Sequence, residues 1–499
     1  MDLARFEEHL TTPRGRGHCP PGSASAAAGG AVCGDLVRVS IVVADDRVTA
    51  AGFDASGCGA ALAAGSAAVS LVEGRAVLDA ARVGTTQIAA ELGGLSPGKL
   101  HAAELAADAL ARALGAAVRA HARFERDANR TLVAMSGGVD SAVAALLVDR
   151  AGRAGVGVTL ELWRDPENDA EASCCSASAV RQARMLAHGM GMPHLTLDLR
   201  DEFRAGVVEP FLRGHAAGET PNPCVLCNGN VRLDAMLDLA ARLGAADLAT
   251  GHYARRTSDG LLRAAAHVAK DQAYMLAGLA PESLARMSFP LGEYDKPSVR
   301  ALAREAGLAV ADRRESQDLC FLAGTGKARF LARHAGLTER VGDIVDSGGR
   351  VLGPHRGHHH FTVGQRRGLG IASEQPLYVL ATDARANTVT VGPRGALDAE
   401  RVVLRDAVLH RPPAEIDAVR LRYRSRALAC RVDGEPERGR LTLTLTEPAD
   451  GAAPGQAAVL LRGDVVAGWG TIAPLKPASG PEPDADPARV PIEARGASA

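Results

Sequence analysis

The sequence predicts an α/β protein organised around a doubly wound parallel sheet, preceded by a small α+β domain and followed by a β-rich half. Three observations predict it. Across residues 131–250, short apolar runs alternate with helical stretches, the grammar of parallel strands joined by crossover helices. Ahead of that region, an alternating apolar and polar stretch gives way to Ala-rich helical segments. Beyond about Arg340 the helical pattern stops, and short strands punctuated by Gly, Pro and Asp replace it.

The chain's 499 residues exceed what one core usually organises, so two to four domains are expected. Residues 36–53 alternate around Asp45-Asp46, which reads as two strands and a turn, and residues 60–72 and 102–124 have helical composition. Residues 1–125 are therefore expected to form an α+β domain with helices on one side of a sheet. The doubly wound region spans 130–335, with strands at 131–135, 156–162, 194–199 and 247–250. A central β-rich connecting domain is expected over 336–395 and a further β domain over 396–475, with strands near 377–380 and 441–445. Residues 476–499 carry too little apolar content for a core and are expected to be a disordered tail.

A composition of 46% hydrophobic and 23% charged residues is that of a folding globular chain. No run of about eighteen apolar residues occurs, and the start Met1-Asp2-Leu3 lacks the regions of a secretory signal, so a cytoplasmic protein without membrane association is expected. In that compartment nine irregularly spaced cysteines point to catalysis or metal binding rather than structural disulfides. The net charge of -1 gives no global attraction to nucleic acid, so RNA contact must come from local patches. Two exist: His355-Arg356-Gly357-His358-His359-His360 running into Gln365-Arg366-Arg367, and Arg422-Tyr423-Arg424-Ser425-Arg426. On charge alone both read as solvated faces.

Directly after the first strand of the middle region stands Ser136-Gly137-Gly138-Val139-Asp140-Ser141, followed by a helical run. Such a turn presents backbone N–H groups at a helix N-terminus to a phosphate, Ser136 and Ser141 add hydroxyls, and Asp140 is placed to hold Mg²⁺. No Lys-Ser or Lys-Thr closes the turn, so it is not a Walker loop. It resembles the PP-loop of ATP pyrophosphatases, which cleave ATP between the α and β phosphates and transfer AMP to a substrate oxygen.

Thr220-Pro221-Asn222-Pro223-Cys224-Val225-Leu226-Cys227-Asn228 places a C-x-x-C in a proline-stiffened loop before a helical stretch expected from about Val231. That position can lower a thiol pKa and keep sulfur accessible. A zinc half-site is the weaker reading, because no second C-x-x-C or H-x-x-H follows at finger spacing. Cys320 alone would be a buried core cysteine, Cys430 likewise, and Cys174-Cys175 reads as structural.

Taken together, the 136–141 turn, Asn222-Pro223-Cys224-Val225-Leu226-Cys227-Asn228, Ala249-Thr250-Gly251-His252-Tyr253, Lys270-Asp271-Gln272, Glu315-Ser316-Gln317-Asp318-Leu319-Cys320-Phe321 and Gly364-Gln365-Arg366-Arg367-Gly368-Leu369 closely resemble the tRNA-specific 2-thiouridylases, over about residues 130–475. The resemblance implies a C-terminal β-barrel, ATP with Mg²⁺, and wobble-uridine thiolation by adenylation of the C2 oxygen followed by sulfur transfer. It implies a nucleotide site of Ala134, Met135, Ser136, Gly137, Gly138, Val139, Asp140, Ser141, Leu160 and Gly251, and tRNA contacts from Asn222, Pro223, Cys224, Lys270, Asp271, Gln272, Arg422 and Tyr423. Cys227, directly before the Asn, matches the nucleophile, and Cys320 the persulfide carrier. Alternatively Cys224, Cys227 and Cys320 hold three corners of a 4Fe-4S cluster. A cysteine desulfurase or another sulfur donor is the implied partner besides tRNA.

The preceding domain resembles IscU/NifU-type iron-sulfur scaffolds through Ala31-Val32-Cys33-Gly34-Asp35, Ser56-Gly57-Cys58-Gly59-Ala60 and Gly98-Lys99-Leu100-His101-Ala102. Cys33, Asp35, Cys58 and His101 match ligand-region positions and would complete a zinc or iron-sulfur site, with Cys19 as a substitute donor. Where those scaffolds have a cysteine after the histidine, this chain has Ala102, which also leaves room for a retired scaffold kept to dock a sulfur donor. The competing readings are another PP-loop adenylating enzyme and an iron-sulfur scaffold with an RNA-binding appendage. The intact turn together with Cys227 and Cys320 favours turnover.

Overall fold

The computed structural model describes residues 2–29, 34–164, 176–313 and 319–474. Cys33, Cys174-Cys175, the Glu315-Ser316-Gln317-Asp318 segment and the expected tail lie outside the described residues.

The N-terminal sheet is antiparallel in the order β1 (Ala24–Gly29), β2 (Leu36–Ala44), β3 (Arg47–Ser56). Asp45 takes φ 54 in the tight β2–β3 turn, a left-handed conformation that Asp tolerates. Strand β1, Ala-Ser-Ala-Ala-Ala-Gly, has no β-branched residue and so gave no strand signal. Val37, Val39 and Ile41 are fully buried under the helices Gly59–Val72 and Leu100–His121. The second of these is buried almost all round because it lies between two sheets, touching β1 and β2 on one side and the strand His194–Asp198 on the other.

The middle sheet is parallel, with β4 (Asp127–Ala134), β5 (Ala154–Glu161), β6 (His194–Asp198) and β7 (Ala245–Thr250). The hairpin β8 (Ala254–Arg256) and β9 (Leu262–Ala264) leaves it, and β10 (Met287–Ser288) completes the order β10-β7-β4-β5-β6. Chain order reverses between β4 and β7, so a crevice opens at their carboxyl ends, where open α/β sheets bind ligands.

A four-stranded sheet follows, ordered β12-β11-β14-β13 from β11 (Gly342–Asp346), β12 (Val351–His355), β13 (Tyr378–Asp383) and β14 (Thr388–Gly392). The last six strands are β15 (Asp398–Leu409), β16 (Ala418–Arg420), β17 (Leu428–Glu437), β18 (Arg440–Asp450), β19 (Ala457–Arg462) and β20 (Val465–Ile472). They run β15-β18-β17-β16-β19-β20 and close through β15–β20, so the barrel has no free edge of its own. Hairpin β8–β9 attaches to β20 and ties barrel to nucleotide sheet. Cys430 is buried in the barrel core, and burial pushes its thiol up to about 11, as befits a small hydrophobe.

The first histidine patch is a correction. His355, His358 and His359 are buried, not solvated. His355 Nε2 lies 3.0 Å from the Asn387 carbonyl, and burial holds His359 down to about 4. Counting charge along the sequence presumed exposure that tertiary packing denies. Among the described residues, no helix is long and apolar enough to cross a membrane.

Candidate active site

Strand β4 delivers the chain into the 136–141 turn at the reversal point. Gly137 has φ +70, and a Cβ there would meet the Ala179 carbonyl oxygen at 2.6 Å, so conformation and space both require glycine. Ser141 Oγ accepts the Ser136 N–H at 3.1 Å and donates to the Gly138 carbonyl at 3.1 Å, which fixes the turn. The helix Val139–Arg150 begins behind Gly138, whose lack of a side chain leaves the first-turn N–H groups to an anion. Ala134, Met135 and Leu160 are buried beneath it. Gly251 follows β7 so closely that a Cβ would meet Ser141 N at 2.7 Å. The residues expected to bind nucleotide thus gather around one glycine-built turn at a helix N-terminus.

Asp140 points to a residue that motif reading missed. Tyr253 donates its hydroxyl to Asp140 Oδ1 at 2.7 Å, and Lys296 Nζ donates to both carboxylate oxygens at 2.7 and 2.8 Å. Lys296 opens the helix Lys296–Glu305, capped by Asp295, and its side chain is 11% exposed. The local signal at Asp295-Lys296-Pro297 announces a helix start and says nothing of Asp140. Burial, reinforced by Arg232, holds His252 down to about 3, so its imidazole is neutral.

The C-x-x-C lies on a helix, Pro223–Cys227, rather than in the predicted loop. Asn222 caps it by accepting the Cys224 N–H at 3.1 Å, and Pro223 supplies the first helical φ. The helix continues through the π-turn Asn228–Arg232 into Leu233–Arg242. Three-residue spacing makes Cys224 and Cys227 neighbours on its surface. Cys227 is buried and Cys224 half-buried.

This helix packs on the π-helical segment Arg204–Val208. Phe321, next to Cys320, meets Phe203 and Phe211 edge-on at 5.8 and 5.2 Å. Those two rings flank the same segment, so the Cys227 and Cys320 stretches share one support, and both cysteines join one hydrophobic cluster. Phe330 links that cluster to Trp163, just beyond the carboxyl end of β5. Just upstream of the C-x-x-C, Glu219 pairs with Arg405 of the barrel at 2.7 Å, and Thr382 of the central sheet donates to the Gly218 carbonyl at 2.6 Å. The segment leading into the C-x-x-C therefore touches both the central sheet and the barrel.

The expected tRNA residues divide. Asn222, Cys224, Arg422 and Tyr423 surround Tyr274, whose ring lies 5.9 Å from Tyr423 and whose phenol burial pushes up to about 12. Asp271, by contrast, is buried: its carboxylate accepts the Ala265 and Ala273 N–H groups at 3.1 Å and Arg420 at 2.9 Å. Gln272 Oε1 accepts the Tyr253 N–H at 2.9 Å. Those two residues join the nucleotide loop to the barrel, and Lys270, half-buried, precedes them.

In the N-terminal part, Asp35 Oδ2 accepts the Cys58 thiol at 3.2 Å and contacts His101 Nε2 at 2.9 Å, while Oδ1 accepts the Cys58 N–H at 2.7 Å. The Cys58 N–H, then His101, hold the Asp35 carboxyl below the usual carboxylate range. Among the described residues, this is the one set of three Cys, His, Asp or Glu donors gathered within 4.8 Å. Sulfur, imidazole and carboxylate at that spacing fit a single zinc or iron ion. Among the described residues, Cys224 and Cys227 belong to no such set. Cys19 contacts Ser23 and Ser40 instead. Ala102 is fully buried.

Residues 4–122 match the family described as NifU-like N terminal domain, and 129–324 the tRNA methyl transferase HUP domain. Residues 328–393 match the tRNA methyl transferase PRC-barrel domain and 408–472 the Aminomethyltransferase beta-barrel domain. A bifunctional protein NifU/MnmA of Rubrobacter xylanophilus is 43% identical over 483 residues, 94% of this chain and 98% of that protein. The chain belongs to the bifunctional NifU/MnmA family. The tRNA-specific 2-thiouridylases MnmA of Geobacter metallireducens and Chloroflexus aggregans are 41% and 44% identical, covering 70% and 68% of this chain and 98% of each of those proteins. In this NifU/MnmA chain the NifU-like part is built into the MnmA part: Asp108 of helix 100–121 pairs with Arg184 at 2.7 Å, both buried, and Arg112 pairs with Glu161 at the end of β5.

Proposed function

We propose that the chain thiolates the wobble uridine of tRNA in the cytoplasm. ATP binds with its phosphates on the 136–141 turn, where Asp140 is the residue that would hold Mg²⁺. The uracil C2 oxygen attacks the α phosphorus, the bond to pyrophosphate breaks, and the adenylated oxygen becomes a leaving group on C2. The terminal sulfur of a Cys320 persulfide then attacks C2, and AMP leaves with the oxygen. Cys227 thiolate attacks the Cys320 sulfur, forming a disulfide and leaving the transferred sulfur on the base, so the two cysteines supply the two electrons. A thiol reductant and a desulfurase-type donor reset the pair. The target base must leave its stack to be reached.

The observation that carries this reading is the shared support of the Cys227 and Cys320 segments. The names of the relatives support it. The Asp35, Cys58 and His101 set would hold a zinc or iron ion in the N-terminal part. Incubation of the protein with tRNA, ATP, a thiol reductant and a cysteine desulfurase supplied with cysteine, followed by nucleoside mass spectrometry, tests the whole. Cys320→Ser should abolish 2-thiouridine while tRNA-dependent pyrophosphate release persists. Thiolated product from that variant would remove Cys320 from the mechanism.

A further inference from the structure

We infer that Lys296 is a phosphate-binding residue of the adenylation step, held on Asp140 in the nucleotide-free chain and passed to the ATP phosphates when the nucleotide binds. The inference rests on the 136–141 turn being the ATP site. Lys296 Nζ lies 2.7 and 2.8 Å from the two oxygens of Asp140, which is the second residue of the helix Val139–Arg150. The ammonium therefore stands within one turn of the helix end where the phosphates are expected. The helix Lys296–Glu305 packs against that same helix, so the position is set by rigid elements rather than by a loop.

Charge argues in the same direction. As uracil oxygen bonds to the α phosphorus and the bond to the pyrophosphate oxygen breaks, negative charge grows on the leaving pyrophosphate and needs a fixed cation. The turn contains no lysine of its own. His252 is neutral, and Arg313 already donates to the Gly137 carbonyl at 3.1 Å. Lys296 brings an ammonium to the first turn of the helix behind the 136–141 turn, and with its side chain 11% exposed it meets little competing water. Its transfer does not strand Asp140, because the Tyr253 hydroxyl still donates to that carboxylate at 2.7 Å.

A merely structural lysine would brace Asp140 and leave chemistry alone, and the two roles separate in rate. In the full-length chain, Lys296→Gln and Lys296→Ala should lower tRNA-dependent pyrophosphate release at saturating ATP about 100-fold, the usual scale for losing one charge-stabilising group. Thermal unfolding and tRNA binding should change little. Lys296→Arg keeps the charge and protects the fold, and should retain part of the rate. Added methylamine should restore part of the Lys296→Ala rate, which bracing alone cannot explain. A wild-type rate at saturating ATP in Lys296→Gln overturns the inference. So does a loss in Lys296→Ala that arginine and methylamine both fail to repair. Absence of ATP binding and pyrophosphate release in the wild-type chain would instead overturn the ATP-site reading beneath it.

Discussion

At the scale of single residues, the site is governed by atoms that cannot be added. A Cβ on Gly251 would stand 2.7 Å from Ser141 N and 2.8 Å from the Asp140 carbonyl carbon, both backbone, so the loop itself must move. Gly251→Ala should therefore weaken ATP binding at least about tenfold while costing the fold only about 1–3 kcal/mol, the range of ordinary overpacking. Titration with a fluorescent ATP analogue alongside thermal unfolding checks both halves, and unchanged affinity would show that the turn does not cradle the nucleotide. In the N-terminal part, Asp35→Ala removes the carboxylate that touches both Cys58 and His101. Bound zinc plus iron, measured after anaerobic purification, should fall by at least half, and full metal content would place the ion elsewhere.

Secondary-structure elements show which links were readable. Residues 136–141 were legible as a strand–turn–helix unit because strand, glycine turn and helix are contiguous in the sequence. Lys296 was not, since its partner lies 156 residues away and nothing in Asp295-Lys296-Pro297 names it. The helix Leu100–His121 announced a nearly continuous apolar face, yet its second partner, β6, belongs to a different sheet. The C-x-x-C looked like a loop because two prolines surround Asn222, whereas Asn222 and Pro223 in fact start a helix. Asp108 on helix 100–121 pairs with Arg184 on Ala177–Gly189, side chains 6% and 4% exposed, so removing one partner leaves a buried charge. Asp108→Ala should cost roughly 3–5 kcal/mol in urea unfolding, and Asp108→Ala with Arg184→Met markedly less than the two single losses added. Strict additivity would mean the pair does not couple the two sheets.

For the molecule as a whole, the histidines at the junction between nucleotide and central sheets set a limit on acid tolerance. Burial, then Lys327 and the neighbouring His359 and His358, hold His215 of the helix Glu209–Ala216 down to about 3, and burial with His360 and His358 holds His359 down to about 4. The surrounding groups are almost all cationic when protonated: Lys327, His355, His358 and His360, with Glu339 the acid acting on His360. His215 Nδ1, His358 Nε2 and His359 Nε2 are buried without a hydrogen-bond partner, so a proton added there would find no acceptor ready. In the unfolded chain the His215 and His359 imidazoles titrate near 6.5, so between that pH and about 4 the unfolded state binds more protons. Stability is then constant above about pH 7 and falls as pH drops below 6.5, by up to about 1.4 kcal/mol per pH unit for each histidine that stays neutral only when folded. Urea midpoints at pH 8, 7, 6 and 5 should show a plateau and then a decline, and His215→Gln combined with His359→Gln should flatten the acid limb. An acid limb equally steep in that double variant would assign the proton uptake to groups away from this junction.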